Sequence, residues 1–383
     1  MSIKTIALIS SHPIQYNAPL FQKLAKVPGL DLKVFYTWGK EGANSKYDPD
    51  FNQEISWDLP LLEGYDFCFC ENVAKEPGSH HFNGIKTPKL ISQIEEWQPD
   101  ILWVWGWAFQ SHLEVLRHFK GKSIVWFRGD STLLDEPSGF SLKKLLRKVF
   151  LKWVYSHIDK AFYVGIHNKD YFLKFGLKEH QLVFAPHSVD NSRFEILTEY
   201  VNQNLKELRH SLDLTNDDYI ILFAGKLEQK KNPRFLLEFI NSVSDKSIKL
   251  IFVGNGHLEA ELKNEARKQI KFLNFQNQSM MPVMYRLANI FVLPSLGPGE
   301  TWGLAINEAL ACGTPVAASI YCGGAIDMIN EDNGFLFDPK KGVESFIEKL
   351  EKFRSQEKKE FVPTFKNNFS YDKIIEAVKE NLN

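Results

Sequence analysis

Apolar residues in the first 190 positions recur as short runs, each followed by a polar turn and a stretch with three- to four-residue spacing. The unit opens with Thr5–Ser10 as a strand, Gln15–Lys26 as a helix and Leu32–Thr37 as the next strand. Ile101–Trp105, Ser123–Phe127 and Ala161–Val164 continue the strand series, and Ser111–Phe119, Leu142–Tyr155 and Lys169–Phe175 read as helices between or after them. This alternation predicts a mostly parallel sheet, because parallel neighbours need long crossovers and those crossovers cover the sheet faces. Residues 38–90 break the rhythm. Gly, Asn, Pro and aromatic side chains interrupt every period there, so the segment reads as loops with a short hairpin or edge strands.

At Ala185–Phe194 the composition shifts, and a second series begins after a helical stretch at Glu195–Arg209. Its strands are Tyr219–Ala224, Leu250–Val253, Ile270–Leu273, Ile290–Leu293 and Pro315–Ala318, with helices at Pro233–Ser242, His257–Glu265, Met281–Leu287 and Gly303–Ala311. Two α/β domains are therefore expected, residues 1–188 and 189–365. Ile374, Ile375 and Val378 give the tail 366–383 helical apolar spacing, and that helix is expected to pack back on the first domain. A length of 383 residues agrees with two cores, since a single core seldom grows beyond roughly 250–300 residues.

Charge narrows the partners. Lys and Arg number 46 against 47 Asp and Glu, so no overall basic excess points to nucleic acid. The 44% hydrophobic and 24% charged content is that of a globular chain, and no apolar run reaches the roughly 18 residues of a membrane span. The start, MSIKTIALIS, runs directly into a strand, so the expected location is the cytoplasm, with peripheral contact at the inner face of the plasma membrane left open. Cys68, Cys70, Cys312 and Cys322 have no metal-ligand spacing, and packing is the expected role of each.

Three loops carry candidate chemistry. Gly254-Asn255-Gly256 joins a strong strand run to a helix; its glycines can let a phosphate approach backbone N–H groups, or can simply make the turn. Lys226 and Lys231 follow the first strand of the second domain, at the edge where ligands of open α/β sheets collect, although a solvated lysine cluster has the same appearance. The third loop, after Phe291–Pro294, carries Glu300, and the helix opening at Gly303 and Leu304 carries Glu308 among Ile306, Ala309, Leu310 and Ala311. Glu308 there is either a ligand contact or an exposed helix former; Glu300 is either a sugar contact or a first-turn cap.

Residues 219–340 resemble the donor-site region of the retaining GT-B glycosyltransferases of family 4, the glycosyl transferases group 1. The resemblance rests on Glu300 and Glu308 separated by seven residues, the continuation Ala309-Leu310-Ala311-Cys312-Gly313-Thr314-Pro315-Val316, Gly225-Lys226-Leu227 with Lys231-Asn232, Val253-Gly254-Asn255-Gly256, Gly323-Gly324 and Asn333-Gly334-Phe335-Leu336-Phe337. It implies two Rossmann-like domains facing across a cleft and a UDP- or GDP-sugar as co-substrate, with no separate cofactor and no metal. It further implies Lys226 and Lys231 on the diphosphate, Glu308 on the ribose hydroxyls and Glu300 at the transferred sugar. Position 226 is Lys where many members have Arg, which keeps the charge and loses the bidentate fork.

The first half resembles a surface-polysaccharide branch of the same family through Ser10–Phe21, Phe162–Phe172 and Ala185–Asp190. That implies a glycan or lipid-linked glycan acceptor. His12 and Asp130 are candidate acceptor contacts, each with a structural alternative; Arg128 stands between a ligand contact and a structural ion pair. Many members place an active-site histidine where this chain has Arg128-Gly129-Asp130-Ser131. Trp103 and Trp105 alternate on one strand face, where packing is the expected role and sugar stacking the alternative. Competing functional readings are a sugar-nucleotide epimerase or hydrolase on the same frame, and a non-catalytic sugar-nucleotide-binding subunit. Oligomeric state is not legible.

Overall fold

The computed structural model describes the chain except residues 1–2, 44–45, 49–52, 137–138, 140, 357–361 and 383. The chain divides into two compact units. One comprises residues 1–44, 59–186 and 371–383, the other residues 45–58 and 187–370.

The first unit is built on β1 (Lys4–Ser10) and β2 (Leu30–Tyr36); the hairpin β3 (Lys46–Asp48) and β4 (Gln53–Ile55) follows in the chain but belongs to the second unit. β5 (Asp66–Phe69), β6 (Ile101–Trp105), β7 (Ile124–Arg128), β8 (Lys160–Tyr163) and β9 (Leu182–Phe184) complete a seven-stranded parallel sheet in the order β5-β2-β1-β6-β7-β8-β9. Both faces are apolar, as covered parallel sheets require. Ala7, Ile9, Val104, Val125 and Phe127 pack on one face; Leu8, Trp103, Trp126 and Phe162 pack on the other.

The terminal helix Tyr371–Glu380 lies on this second face through Tyr371, Ile374, Ala377 and Val378, and the Tyr371 hydroxyl donates to the Tyr16 carbonyl at 2.8 Å. Trp103 is fully buried and shares its cluster with Trp105, while Trp107, beyond the strand end, packs against the opposite cluster. Packing accounts for all three rings.

In the second unit, β10 (Tyr219–Ala224), β11 (Ile248–Val253), β12 (Ile270–Leu273), β13 (Ile290–Leu293), β14 (Val316–Ser319) and β15 (Gly334–Phe337) form a six-stranded parallel sheet in the order β12-β11-β10-β13-β14-β15.

Some boundaries differ from the sequence reading for identifiable reasons. The first helix begins at Ala18 rather than Gln15, with a proline in its first turn. The stretch expected as one helix over Glu195–Arg209 is two, Asn191–Glu195 and Glu199–Ser211, because Thr198 caps the second by accepting the Val201 N–H. Residues 45–58 leave the first unit because Asn277 and Asp58 tie them to the second: Asn277 Nδ2 donates to the Ser56 carbonyl at 2.7 Å, and the Ser279 N–H donates to Asp58 at 3.0 Å. Helices Leu90–Trp97 and Val343–Arg354 and the short strand β9 lie outside the sequence-derived elements.

Candidate active site

From β10 the chain of the second unit builds outward through β11 and β12, then returns to the other side of β10 as β13. The loops leaving the C-terminal ends of β10 and β13 therefore diverge, and such a switch point makes the ligand crevice of an open α/β sheet. Lys226 and Lys231 lie on the first of these loops, and Glu300 and Gly303 on the second. The loops are fastened together: the Leu296 N–H donates to the Lys230 carbonyl at 2.8 Å, and Asn232 Nδ2 donates to the Pro294 carbonyl at 3.2 Å.

Across the same junction Lys231 Nζ meets Glu300 Oε2 at 2.5 Å, with the two side chains 19% and 8% exposed. Ser295 Oγ donates to the same carboxylate oxygen at 3.2 Å. Lys231 is thus a partly buried, paired cation. The solvated-lysine description fits Lys230, which is exposed and 3.4 Å from Glu228. Lys226 is half-buried one residue beyond Gly225. Glu300 lies three residues ahead of the N-cap Gly303, outside the helix's first turn, which holds no acid.

That helix, Leu304–Ala311, starts from Gly303 at φ 89°, a left-handed conformation that favours glycine. The first turn of any α-helix presents N–H groups without intrahelical acceptors and the positive end of the helix dipole. Glu308, one turn and a half further, is 2% exposed, which removes the exposed-helix-former account. Its carboxylate accepts the Tyr285 hydroxyl at 2.7 Å and Gln278 Nε2 at 3.5 Å; Gln278 is itself oriented by Arg193 at 2.9 Å. Neither Tyr285, Gln278 nor Arg193 carries a sequence motif, so only the fold reveals this support.

The glycines of Gly254-Asn255-Gly256 have a reason independent of any ligand. A Cβ at Gly254 would stand 2.2 Å from the Gly225 carbonyl oxygen, and one at Gly256 would stand 2.4 Å from that of Leu227. The two loops continue the β10–β11 ladder past the strand ends, with the N–H groups of Gly225 and Leu227 donating to the Val253 and Asn255 carbonyls at 2.9 Å each. Asn255 accepts the Phe275 N–H at 2.8 Å and donates to Glu259 at 3.0 Å. This loop therefore buttresses the segment carrying Lys226. Gly323-Gly324 plays a similar part: the Gly323 N–H donates to the Glu300 carbonyl at 2.9 Å, and a Cβ at Gly324 would stand 2.6 Å from the Trp302 ring. Trp302 Nε1 in turn donates to Asn307 at 2.7 Å.

In the first unit, His12 follows β1 and Asp130 follows β7, with β6 between the two strands. His12 Nδ1 lies 2.9 Å from Ser11 Oγ, and its ring meets Trp38 edge-on at 5.1 Å. Arg128 is buried: it donates to the Ala185 and Pro186 carbonyls at 2.8 and 3.0 Å, and its guanidinium lies 5.3 Å from the Trp105 ring. Burial pulls its pKa down to about 10, against the opposing charge of Asp130. A histidine the motifs did not mark, His112, is fully buried between Thr37 Oγ1 at 2.8 Å and the Gly106 carbonyl at 2.9 Å. Burial pushes its pKa down to about 4. It joins the loops after β2 and β6 as a neutral ring.

Residues 205–368 match the family model described as "Glycosyl transferases group 1". The chain is 31% identical over 139 residues to an uncharacterized glycosyltransferase of Methanocaldococcus jannaschii, covering 34% of this chain and 35% of that one. It covers about a third of the length of the curated relatives it matches. Among solved structures, a glycosyltransferase from Rickettsia africae superposes with a TM-score of 0.72 at 18% identity over 100% of this chain and 98% of the other. Anabaena HepE, solved in complex with UDP and glucose, gives 0.65 at 15% identity over 99% of each chain. At these identities the likeness establishes the fold: two Rossmann-like domains of GT-B type.

Proposed function

We propose, from the match of residues 205–368 to the glycosyl transferases group 1 model, that this protein moves a sugar, expected to be a hexose, from a UDP- or GDP-sugar to a hydroxyl of a glycan or lipid-linked glycan in surface-polysaccharide assembly. The observation that carries the proposal is the pairing of Lys231 with Glu300 at the switch point of the second sheet, beside Lys226 and the helix start at Gly303. Two ammonium groups and a helix N-terminus suit paired phosphates in the donor, and suit still better the charge that grows on the diphosphate as it leaves.

In this reading the bond between the anomeric carbon and the diphosphate oxygen breaks, and the acceptor oxygen bonds to the same face, so configuration is retained. The acceptor's proton passes to the departing diphosphate. No metal ion is required, since Lys226, Lys231 and the N–H groups of Gly303 and Leu304 supply positive charge. Glu300 accepts hydroxyls of the transferred sugar, and Glu308, held by Tyr285 and Gln278, accepts those of the ribose. Gly254, Asn255 and Gly256 support the Lys226 loop from behind. His12 and Asp130 are proposed for the acceptor, and the cytoplasm is the proposed site of action.

A screen of UDP- and GDP-sugars against glycan and lipid-linked acceptors, read by product mass and linkage, tests the proposal. The expected product is a new glycoside with the donor's anomeric configuration, and release of nucleoside diphosphate that depends on acceptor. Donor cleavage at the same rate without acceptor, an epimerised sugar nucleotide, or tight donor binding with no turnover across the panel would each replace it with one of the competing readings.

A further inference from the structure

The helix Leu142–Tyr155 of the first unit is apolar on the side that faces away from its core. Leu151, Val154 and Tyr155 form its inner face and are buried. On the opposite side Leu142, Leu146, Val149 and Trp153 follow one another at helical spacing, flanked by Leu145 and Phe150, and the exposures of Leu142, Leu146 and Val149 are 68%, 63% and 61%. An ordinary surface helix turns polar residues outward, so a stripe of this length needs a partner. The apolar surface continues past the helix. Phe150 and Trp153 form one wall of an apolar cavity of about 600 Å³ whose other walls include Trp107, Phe109 and Phe82.

The charge around the stripe says what the partner is. Lys143 borders it on one side, Lys148 and Lys152 on the other, and all three are exposed. Between Glu136 and Asp159 the sequence holds no acidic residue, although the chain as a whole carries a net charge of -1. Lys152 also lines a second cavity with Lys178, His180 and the Lys120–Asp159 ion pair. Outward apolar side chains edged by lysines are what a helix needs to lie in the interface of an anionic bilayer, its apolar face among the acyl chains and its ammonium groups among the phosphates. A protein partner would need carboxylates in the same plane as a hydrophobic groove; an anionic lipid surface offers both charges and hydrocarbon everywhere. We infer that the face formed by Leu142, Leu146, Val149 and Trp153 docks this protein onto anionic membrane.

The inference does not rest on the transfer reaction, because binding is read with no donor or acceptor present. The test is sedimentation of the full chain with vesicles of equal parts phosphatidylglycerol and phosphatidylcholine, and with vesicles of phosphatidylcholine alone. The wild-type chain should pellet with the anionic vesicles and far less with the neutral ones. Leu146→Glu with Val149→Glu should lower partition by about tenfold for each apolar side chain lost. Replacing Lys143, Lys148 and Lys152 by Gln should lower it by about fivefold per charge. All of these positions are exposed, so the variants should keep the parental melting temperature. Leu197→Glu, at an exposed apolar site in the second unit, should bind as the parent does. Equal pelleting by parent and helix variants would overturn the inference, as would a parental dimer in sedimentation velocity that the Leu146→Glu, Val149→Glu variant dissociates.

Discussion

Lys231 and Glu300 should be coupled in stability and separable in activity. Their 2.5 Å contact leaves Glu300 8% exposed and Lys231 19% exposed, so replacing Lys231 by Met strands a largely buried carboxylate beside Ser295 alone among its described side-chain donors. Removing one partner of a buried pair costs about 3–5 kcal/mol, and the remaining solvent access of Lys231 places this case near the lower end, about 3 kcal/mol. Glu300→Gln should cost less, because an amide oxygen can still accept from the ammonium group. The double variant should be more stable than the sum of the single losses by about 2 kcal/mol, the coupling read from a urea-unfolding cycle. Activity should not follow. Each single variant is expected to lose transfer by about 100- to 1000-fold, and the double variant should stay inactive after its stability recovers, because the diphosphate still lacks its cation. Additive stability effects, with coupling under about 0.5 kcal/mol, would refute the pairing. Recovery of transfer in the double variant would reduce the pair to a structural tie.

Three further outcomes follow from buried groups and close approaches. His112 is held neutral by burial with a pKa near 4, whereas its unfolded counterpart takes a proton near pH 6.5, so stability should be full above that pH and fall by about 3 kcal/mol as pH drops toward 4. Urea unfolding across that window measures the slope, and His112→Asn should flatten it. Gly254→Ala should destabilise by about 3 kcal/mol through the 2.2 Å approach to the Gly225 carbonyl and should lower donor affinity by shifting Lys226, read by thermal melting and calorimetric titration. Tyr285→Phe removes a 2.7 Å bond to the buried Glu308 carboxylate and should cost about 2 kcal/mol. In steady-state kinetics it should raise the KM for donor more than it lowers kcat.

The strand-helix rhythm was readable because fully covered parallel strands are apolar throughout and their crossovers carry helical spacing. What the rhythm could not carry were elements fixed from a distance. The helix Leu90–Trp97 is short, and residues 45–58 are placed by hydrogen bonds to Asn277 and Ser279, some 220 positions away in the chain. The break after Glu195 depends on one capping threonine. At the candidate site the spacing of Glu300 and Glu308 marked both carboxylates, yet left each with two meanings that only burial and partners could decide. The glycines illustrate the converse: Gly254, Gly256 and Gly324 carry motif spacing, and they also make close backbone and ring approaches that no local pattern reveals. Arg128 and His112 are both buried, and only Arg128 sits in a segment that the sequence marks.

In the proposed function the second unit grips paired phosphates at the switch point between β10 and β13. A crystal structure of the chain with a nucleoside diphosphate sugar tests it directly. The diphosphate should lie within hydrogen-bond distance of Lys226, Lys231 and the N–H groups of Gly303 and Leu304, with the ribose at Glu308 and the sugar at Glu300. Density for the nucleotide over the first sheet, or in the second unit away from these residues, would rule out this donor site.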